Sequence, residues 1–240
     1  SDSVAGNPDT GKTRITVGKT LTVQADGNAE AKAQVLAAAA SFGVIAAAAA
    51  GTDSVNTLNP KVTAAIRNAD VLANLQTGKV EVLATANQKA TARSDALSLS
   101  SGVSMGMSSV VATDTGSVVA ELGDDVRVVA SVLRLRATAQ DDIFQRSTAS
   151  SGGVFAGLAG AYSNLSIEGS TRASIGDRGE IAVGLLDLWS SRSQNFDATA
   201  NNLAVGALAG SGAAMLTTLT GMSEVKVGKK NKIVAGNITI

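Results

Sequence analysis

The sequence predicts an all-β solenoid built from about four repeats of roughly 53 residues, and three recurring markers carry that reading. Apolar-x-apolar triplets open at Leu21-Thr22-Val23, Val80-Glu81-Val82, Leu133-Arg134-Leu135, Leu186-Asp187-Leu188 and Ile238-Thr239-Ile240, at steps of 59, 53, 53 and 52 residues. Mid-unit glycines fall at Gly43, Gly102, Gly153 and Gly206, at steps of 59, 51 and 53. A late apolar-glycine corner repeats as Leu122-Gly123, Ile175-Gly176 and Val227-Gly228. Internal periods of this length indicate stacked supersecondary units, each burying its apolar face against its neighbours. The implied layout is a lead-in over residues 1–14 and one solenoid domain over 15–240. Its units run approximately 21–79, 80–132, 133–185 and 186–237, with 238–240 starting a fifth. In the first unit the corner reads Ile66-Arg67, and one insertion between Ile66 and Val80 accounts for the longer step. A chain that begins on Ser1 and ends on an opening strand is expected to be a segment of a longer array.

Composition agrees with a thin, repetitive object. Apolar residues make up 45% of the chain, which excludes general disorder, yet only six are aromatic: Phe42, Phe144, Phe155, Phe196, Tyr162 and Trp189. A compact globule of 240 residues relies on large aromatics to fill its interior, whereas stacked sheets fill a narrow one with alanine, serine, glycine and valine. Twenty basic and twenty acidic residues give zero net charge, with no basic patch interleaved with aromatics, so nucleic acid is not an expected partner. The absence of cysteine excludes disulfides and thiolate metal sites, and fits either a cytoplasmic or an exported chain. No unbroken apolar run reaches the roughly 20 residues of a membrane span, so membrane insertion is not expected. Val35 to Ala50 comes nearest and is mostly alanine.

Taken in order, the chain first shows Gly6-Asn7-Pro8-Asp9-Thr10-Gly11-Lys12-Thr13, which satisfies the Gly-x4-Gly-Lys-Ser/Thr pattern of phosphate-binding loops. Such a loop works between a buried strand and a helix, whose N-terminus and backbone N–H groups converge on phosphate. Only five residues precede the match, and Arg14-Ile15-Thr16-Val17 alternates like a strand, so the motif reads as a turn. Ala29 to Ala50 is rich in the best helix former, and a helical excursion is the competing reading. The equivalent stretch of unit two argues for strand. Ala90, Ala92, Ser94, Ala96, Ser98, Ser100, Gly102, Ser104, Gly106 and Ser108 place a small residue at every second position, the periodicity of one strand face. Such a face predicts dry, thin packing, closer than the roughly 10 Å usual between sheets. Eighteen residues from Ala90 to Met107 would span about 60 Å as one strand, so the chain must bend, with Ser100 to Gly102 as the corner. In unit four the late corner reads Val227-Gly228-Lys229-Lys230 where unit two has Leu122-Gly123-Asp124-Asp125. Charge that varies freely between copies marks a solvated corner.

The φ-x-φ-x-Ala openings, alternating Ala/Ser/Thr strands, Ser-Gly-Val middles and Val-x-Ala-x-Ile-Gly corners resemble the β-solenoid repeats of giant bacterial surface exoproteins, the filamentous-haemagglutinin type of adhesin. The likeness covers roughly residues 15 to 240. It implies a right-handed parallel β-helix exported to the cell surface or beyond, serving as a stalk or adhesive rod. The period near 53 exceeds a single coil of typical members, which leaves room for two or more coils per unit.

Few residues suit catalysis. Without histidine or cysteine, serine-histidine and cysteine-histidine nucleophile pairs and most zinc sites are excluded. Asp124-Asp125 and Asp141-Asp142 are the paired carboxylates that could act as acid and base or hold a hard cation. Adjacent strand residues point to opposite faces, however, so both pairs read as solvated turns. Trp189 reads as a packing residue, with glycan stacking as the alternative. An ice-ordering threonine ladder is excluded by Thr22, Glu81, Arg134 and Asp187 at one shared position. The expectation is therefore a non-catalytic structural or adhesive rod, extracellular or cell-surface, with no catalytic, cofactor-binding or metal site. Its expected partners are neighbouring repeats of the same longer chain and host or neighbouring-cell glycans or proteins. End-to-end self-association through open strand edges is a further expectation. A carbohydrate-binding or carbohydrate-active β-helix protein is the alternative.

Overall fold

The computed structural model describes residues 3–7, 11–44 and 46–240, with backbone only for 3–7. Among these residues every element is a strand. A hairpin of β1 (Ser3–Asn7) and β2 (Lys12–Val17) leads into coil one: β3 (Thr20–Ser41), β4 (Ala47–Leu58) and β5 (Lys61–Ile66). After β6 (Ala69–Ala73), coil two comprises β7 (Lys79–Ser100), β8 (Val103–Asp114) and β9 (Ser117–Leu122). Coil three is β10 (Arg127–Gly153), β11 (Ala156–Ile167) and β12 (Ser170–Ile175). Coil four is β13 (Glu180–Val205), β14 (Leu208–Leu219) and β15 (Met222–Val227), and β16 (Lys232–Thr239) follows. Like strands stack in parallel into three sheets: a long one holding β3, β7, β10 and β13, a middle one of β4, β8, β11 and β14, and a short one of β5, β9, β12 and β15. The fold is a parallel β-solenoid. Each repeat is one coil, not the two or more that the long period left room for, because β7 returns as β10 after a single circuit.

The register follows the sequence markers. Leu21, Val80, Leu133, Leu186 and Ile238 lie opposite one another in turn. So do the corner residues Ile66, Leu122, Ile175 and Val227. The mid-unit glycines differ: Gly153 pairs with Ser100, so Gly102 and Gly153 share a corner without sharing a register position. The long first step also has two causes rather than one. Coil one carries a longer first corner, between Ser41 and Ala47, where coil two passes directly from Ser100 to Val103. It carries a second insertion at Asn74 to Gly78, where the Asn74 side chain accepts hydrogen bonds from Gln76 N and Thr77 N at 2.8 and 3.2 Å.

Strands of 22 to 27 residues exceed common lengths, and the return path explains how they are covered. At about 3.3 Å per residue β7 extends about 70 Å, and β8 with β9 spans about 60 Å of the way back. The coil is thus a flat loop with one long side facing two shorter ones in line. Ala29 to Ser41 and Ala47 onward are strand, so tertiary pairing overrides the helix preference of alanine. The pattern restarts at Leu133 because Ser131 forms a bulge: Val128 and Ala130 face inward before it, Leu133 and Leu135 after it, and Ser131 N and Val132 N both donate to Gly78 O.

Inward side chains shrink along the coil. The wide end is filled by Val80, Val82, Leu122, Leu133, Leu135, Leu186 and Leu188, the middle by Leu58, Ile143, Leu165 and Ile167, and the narrow end by Ala149, Ala159 and Ala161. At that narrow end the sheets approach so closely that hydroxyls of one reach the other. Ser98 Oγ donates to Ala48 O at 2.8 Å, Ser100 Oγ to Ala46 O at 2.9 Å, and Ser147 Oγ to Ser108 O at 2.9 Å. A serine hydroxyl reaches only one bond past its Cβ, so this packing is thin, as the small-residue face predicted, but held by hydroxyl bridges rather than by apolar contact alone.

Outward charges alternate in sign down the stack. Arg14, Asp70, Arg127, Glu180 and Lys232 form one ladder. Glu81, Arg134 and Asp187 form another, in which Arg134 bridges both carboxylates at 2.9 Å. Parallel in-register stacking sets residues of one column directly opposite each other, where like charges repel and opposite ones attract. The equality of twenty basic and twenty acidic residues fits this arrangement.

Candidate functional site

The phosphate-loop motif lies partly outside the described residues, at positions 8–10. Its described end is built for stacking. Lys12 and Thr13 belong to β2, where a phosphate loop would need a helix, and Lys12 Nζ bonds Asp125 O and lies 3.8 Å from Asp70.

Asp124 and Asp125 occupy the corner between coils two and three, and each is engaged there. Asp124 accepts from Asp177 N at 2.7 Å, and Asp177 repeats this one coil on by accepting from Lys229 N at 2.7 Å. Asp125, Arg178 and Lys230 hold the same turn position with φ of 56°, 56° and 58°, the left-handed region in which a non-glycine side chain is strained. Arg178 grips Asp125 with two hydrogen bonds of 2.8 and 2.7 Å. That pairing holds the Asp125 carboxyl below its ordinary 3.8 and the Arg178 guanidinium above its ordinary value. The corner charges are therefore paired between coils, which the variation in sign from copy to copy had concealed.

Asp141 and Asp142 are not the solvated turn that their sequence suggests: both lie inside β10, whose alternation sends them to opposite faces. Asp142 faces out beside Asn195, while Asp141 is fully buried. Inside, Asp141 joins a group that the sequence reading did not assemble. Arg192 Nε lies 2.7 Å from Asp141 Oδ2, and its Nη2 pairs with Asp114 Oδ2; the three side chains are at most 3% exposed. Arg192 Nη1 also donates to Gly116 O at 3.3 Å, and Asp114 Oδ1 accepts from Gly116 N at 2.9 Å. The triad joins coils two, three and four. Gly169 makes room for it, since a Cβ there would stand 2.2 Å from the guanidinium nitrogens. Gln88 and Gln194 flank Asp141 in the same inward column. The phase set by Leu186 and Leu188 points Arg192 and Gln194 inward, and that parity is the signal that finds them.

Burial pushes the Asp141 carboxyl up to about 6, against the opposing pull of Arg192. The folded value exceeds the unfolded 3.8, so the folded state binds the proton more tightly. This contribution is greatest below pH 3.8 and declines as pH rises to about 6. Asp187 behaves oppositely: burial raises it, but hydrogen bonds from Arg136 and Arg134 outweigh that and leave it below 3.8. With Asp125, it withdraws stability as pH falls through the depressed value. Urea midpoints measured against pH are expected to peak near pH 4, with a decline towards pH 6. Asp141→Asn, which places there an amide like those of Gln88 and Gln194, is expected to flatten the decline and spare the acid limb. A decline that survives the substitution would assign it to another group.

Trp189 is on the outer face of the long sheet, half-exposed and paired with Arg136. It does not pack in the core. Among the described residues there is no cluster of three or more aspartate, glutamate, histidine or cysteine residues that could hold a metal ion. Among them, too, no helix is long and apolar enough to cross a membrane. No family model, curated protein or solved structure matches the chain.

Proposed function

We propose that this chain is a rod segment of a longer bacterial surface or secreted exoprotein, acting by spacing and presenting binding regions rather than by catalysis. The observation that carries the reading is the use to which polar groups are put. The charge ladders, the corner aspartates and the buried Arg192 triad each join successive coils, and so serve the length and stiffness of the stack. Adhesion to a glycan is the second reading, and half-exposed Trp189 beside Arg136 favours it, since an aromatic face can stack on a sugar ring. Antibodies raised against the folded chain are expected to label intact producing cells or their culture medium. Labelling that appears only after the cells are permeabilised would sink the surface assignment.

A further inference from the structure

The outer face of the middle sheet is almost free of charge. β4, β8, β11 and β14 each contribute six outward residues, and of these 24 only Asp53 is charged. The long sheet, by contrast, carries charge ladders outside, and the short sheet carries the Arg172–Glu224 pair at 2.8 Å. Large apolar side chains stand exposed on the middle sheet, among them Met105, Met107, Leu158, Tyr162 and Leu216. Beside them runs a hollow of about 650 Å³, floored by Gly51, Gly160 and Gly212 and walled by Met107 and Tyr162. A Cβ at any of these three glycines would meet nothing within 4 Å, so the fold itself does not require glycine there.

We infer that this face is a lateral interface with a second copy of the chain. Knobs and hollows share one register row, in which Gly51, Met107, Gly160 and Gly212 lie side by side. A surface that carries both is self-complementary under a two-fold axis. An axis lying in the face, parallel to the strands and between coils two and three, sets Met107 over the partner's Gly160 and Tyr162 over the partner's Ser109. Asp53 then falls at the rim, where its charge stays in water. The size suits a stable pair: four strands about 4.8 Å apart and twelve residues of about 3.3 Å make a face of roughly 750 Å². A standard interface takes about 800 Å² from each partner. The rods would thus run in pairs, with the charge ladders of each long sheet turned to solvent.

Sedimentation velocity on the full 240-residue chain over a concentration series tests this. The expected result is a closed species of twice 23.9 kDa that grows no further. Gly160→Glu sets a charge on the hollow floor, where the fold has room for it, and is expected to weaken pairing at least about tenfold with an unchanged circular dichroism spectrum. A chain that stays monomeric throughout overturns the inference, including one that instead binds lipid vesicles through this face. So does association that Gly160→Glu leaves intact, or open-ended growth, since both would arise at the coil ends.

Discussion

Arg192→Met is expected to lower the stability of the solenoid by about 3–5 kcal/mol, because it leaves two buried aspartates without their cation. Methionine roughly keeps the volume, so the loss reports charge rather than a cavity. The single tryptophan, Trp189, lies three residues away on the same strand, and its fluorescence reads the local transition during urea unfolding. The columns of the stack supply the control. Position 114 is aligned with Ile167, and position 141 with Gln88 and Gln194. The triple variant Asp114→Leu, Asp141→Gln, Arg192→Met therefore installs residue types that neighbouring coils already accommodate, or that match in volume. It is expected to fall within about 1 kcal/mol of the native chain, since a buried ion triad does little better than well-packed neutral residues. If Arg192→Met leaves the midpoint unchanged, the guanidinium is not the counter-charge of this site. If the triple variant is as unstable as the single one, packing is the cause.

Why a solenoid places such a triad inside is a matter of register. A one-coil slip in an array of similar repeats costs little if every column holds interchangeable apolar residues. Asp114, Asp141 and Arg192 belong to three successive coils, and a slip of one coil would take Arg192 away from Asp114 and Asp141 and leave the buried charges unpaired. The outward ladders act in the same direction. Shifting Arg134 by one coil would remove it from between Glu81 and Asp187. Buried charge is here best understood as a device of specificity, paid for in stability.

The sequence made the fold class, the period and the register legible because strand alternation and coil stacking are both periodic. Leu21, Val80, Leu133, Leu186 and Ile238 could be aligned by subtraction, and they pair in that order. Periodicity fails where the chain breaks it. The bulge at Ser131 inverts the inward parity, and of the two insertions of coil one, the first falls in the corner between Ser41 and Ala47 and the second interrupts the long sheet between β6 and β7, so neither has alternation to locate it. The coil count was hidden for a related reason, since nothing local distinguishes a 22-residue strand from two shorter ones. Polar partners are harder still. Arg192 and Asp114 are 78 positions apart, and their meeting depends on coil geometry and on the missing Cβ of Gly169. The exposed apolar face was written in alternate residues of four strands, and it becomes a surface only once the four are stacked.

Two glycines on one strand, Gly157 and Gly160, are expected to respond in opposite ways to the same substitution. Gly157 faces inward at the narrow end, where an added Cβ would stand 2.4 Å from Val205 O and 3.1 Å from its carbonyl carbon. These are backbone atoms of the neighbouring long strand, and no rotamer change relieves them. Gly157→Val must push the two sheets apart along the line where Ser98, Ser100 and Ser147 bridge them, so overpacking is compounded by stretched hydroxyl bonds. A loss of about 3 kcal/mol is expected, at the upper end for overpacking. Gly160 faces outward from β11 into open space. Gly160→Val supplies a β-branched residue to a strand that lacks one there, and is expected to be neutral or to stabilise by up to about 1 kcal/mol. Urea midpoints at a dilution where the chain is monomeric separate the two effects from pairing. Equal losses at both positions would mean that valine is simply ill-suited to β11, and the close approach of the sheets would lose its support. Opposite signs would place the constraint in the distance between two backbones, which is where the taper from Leu133 to Gly153 puts it.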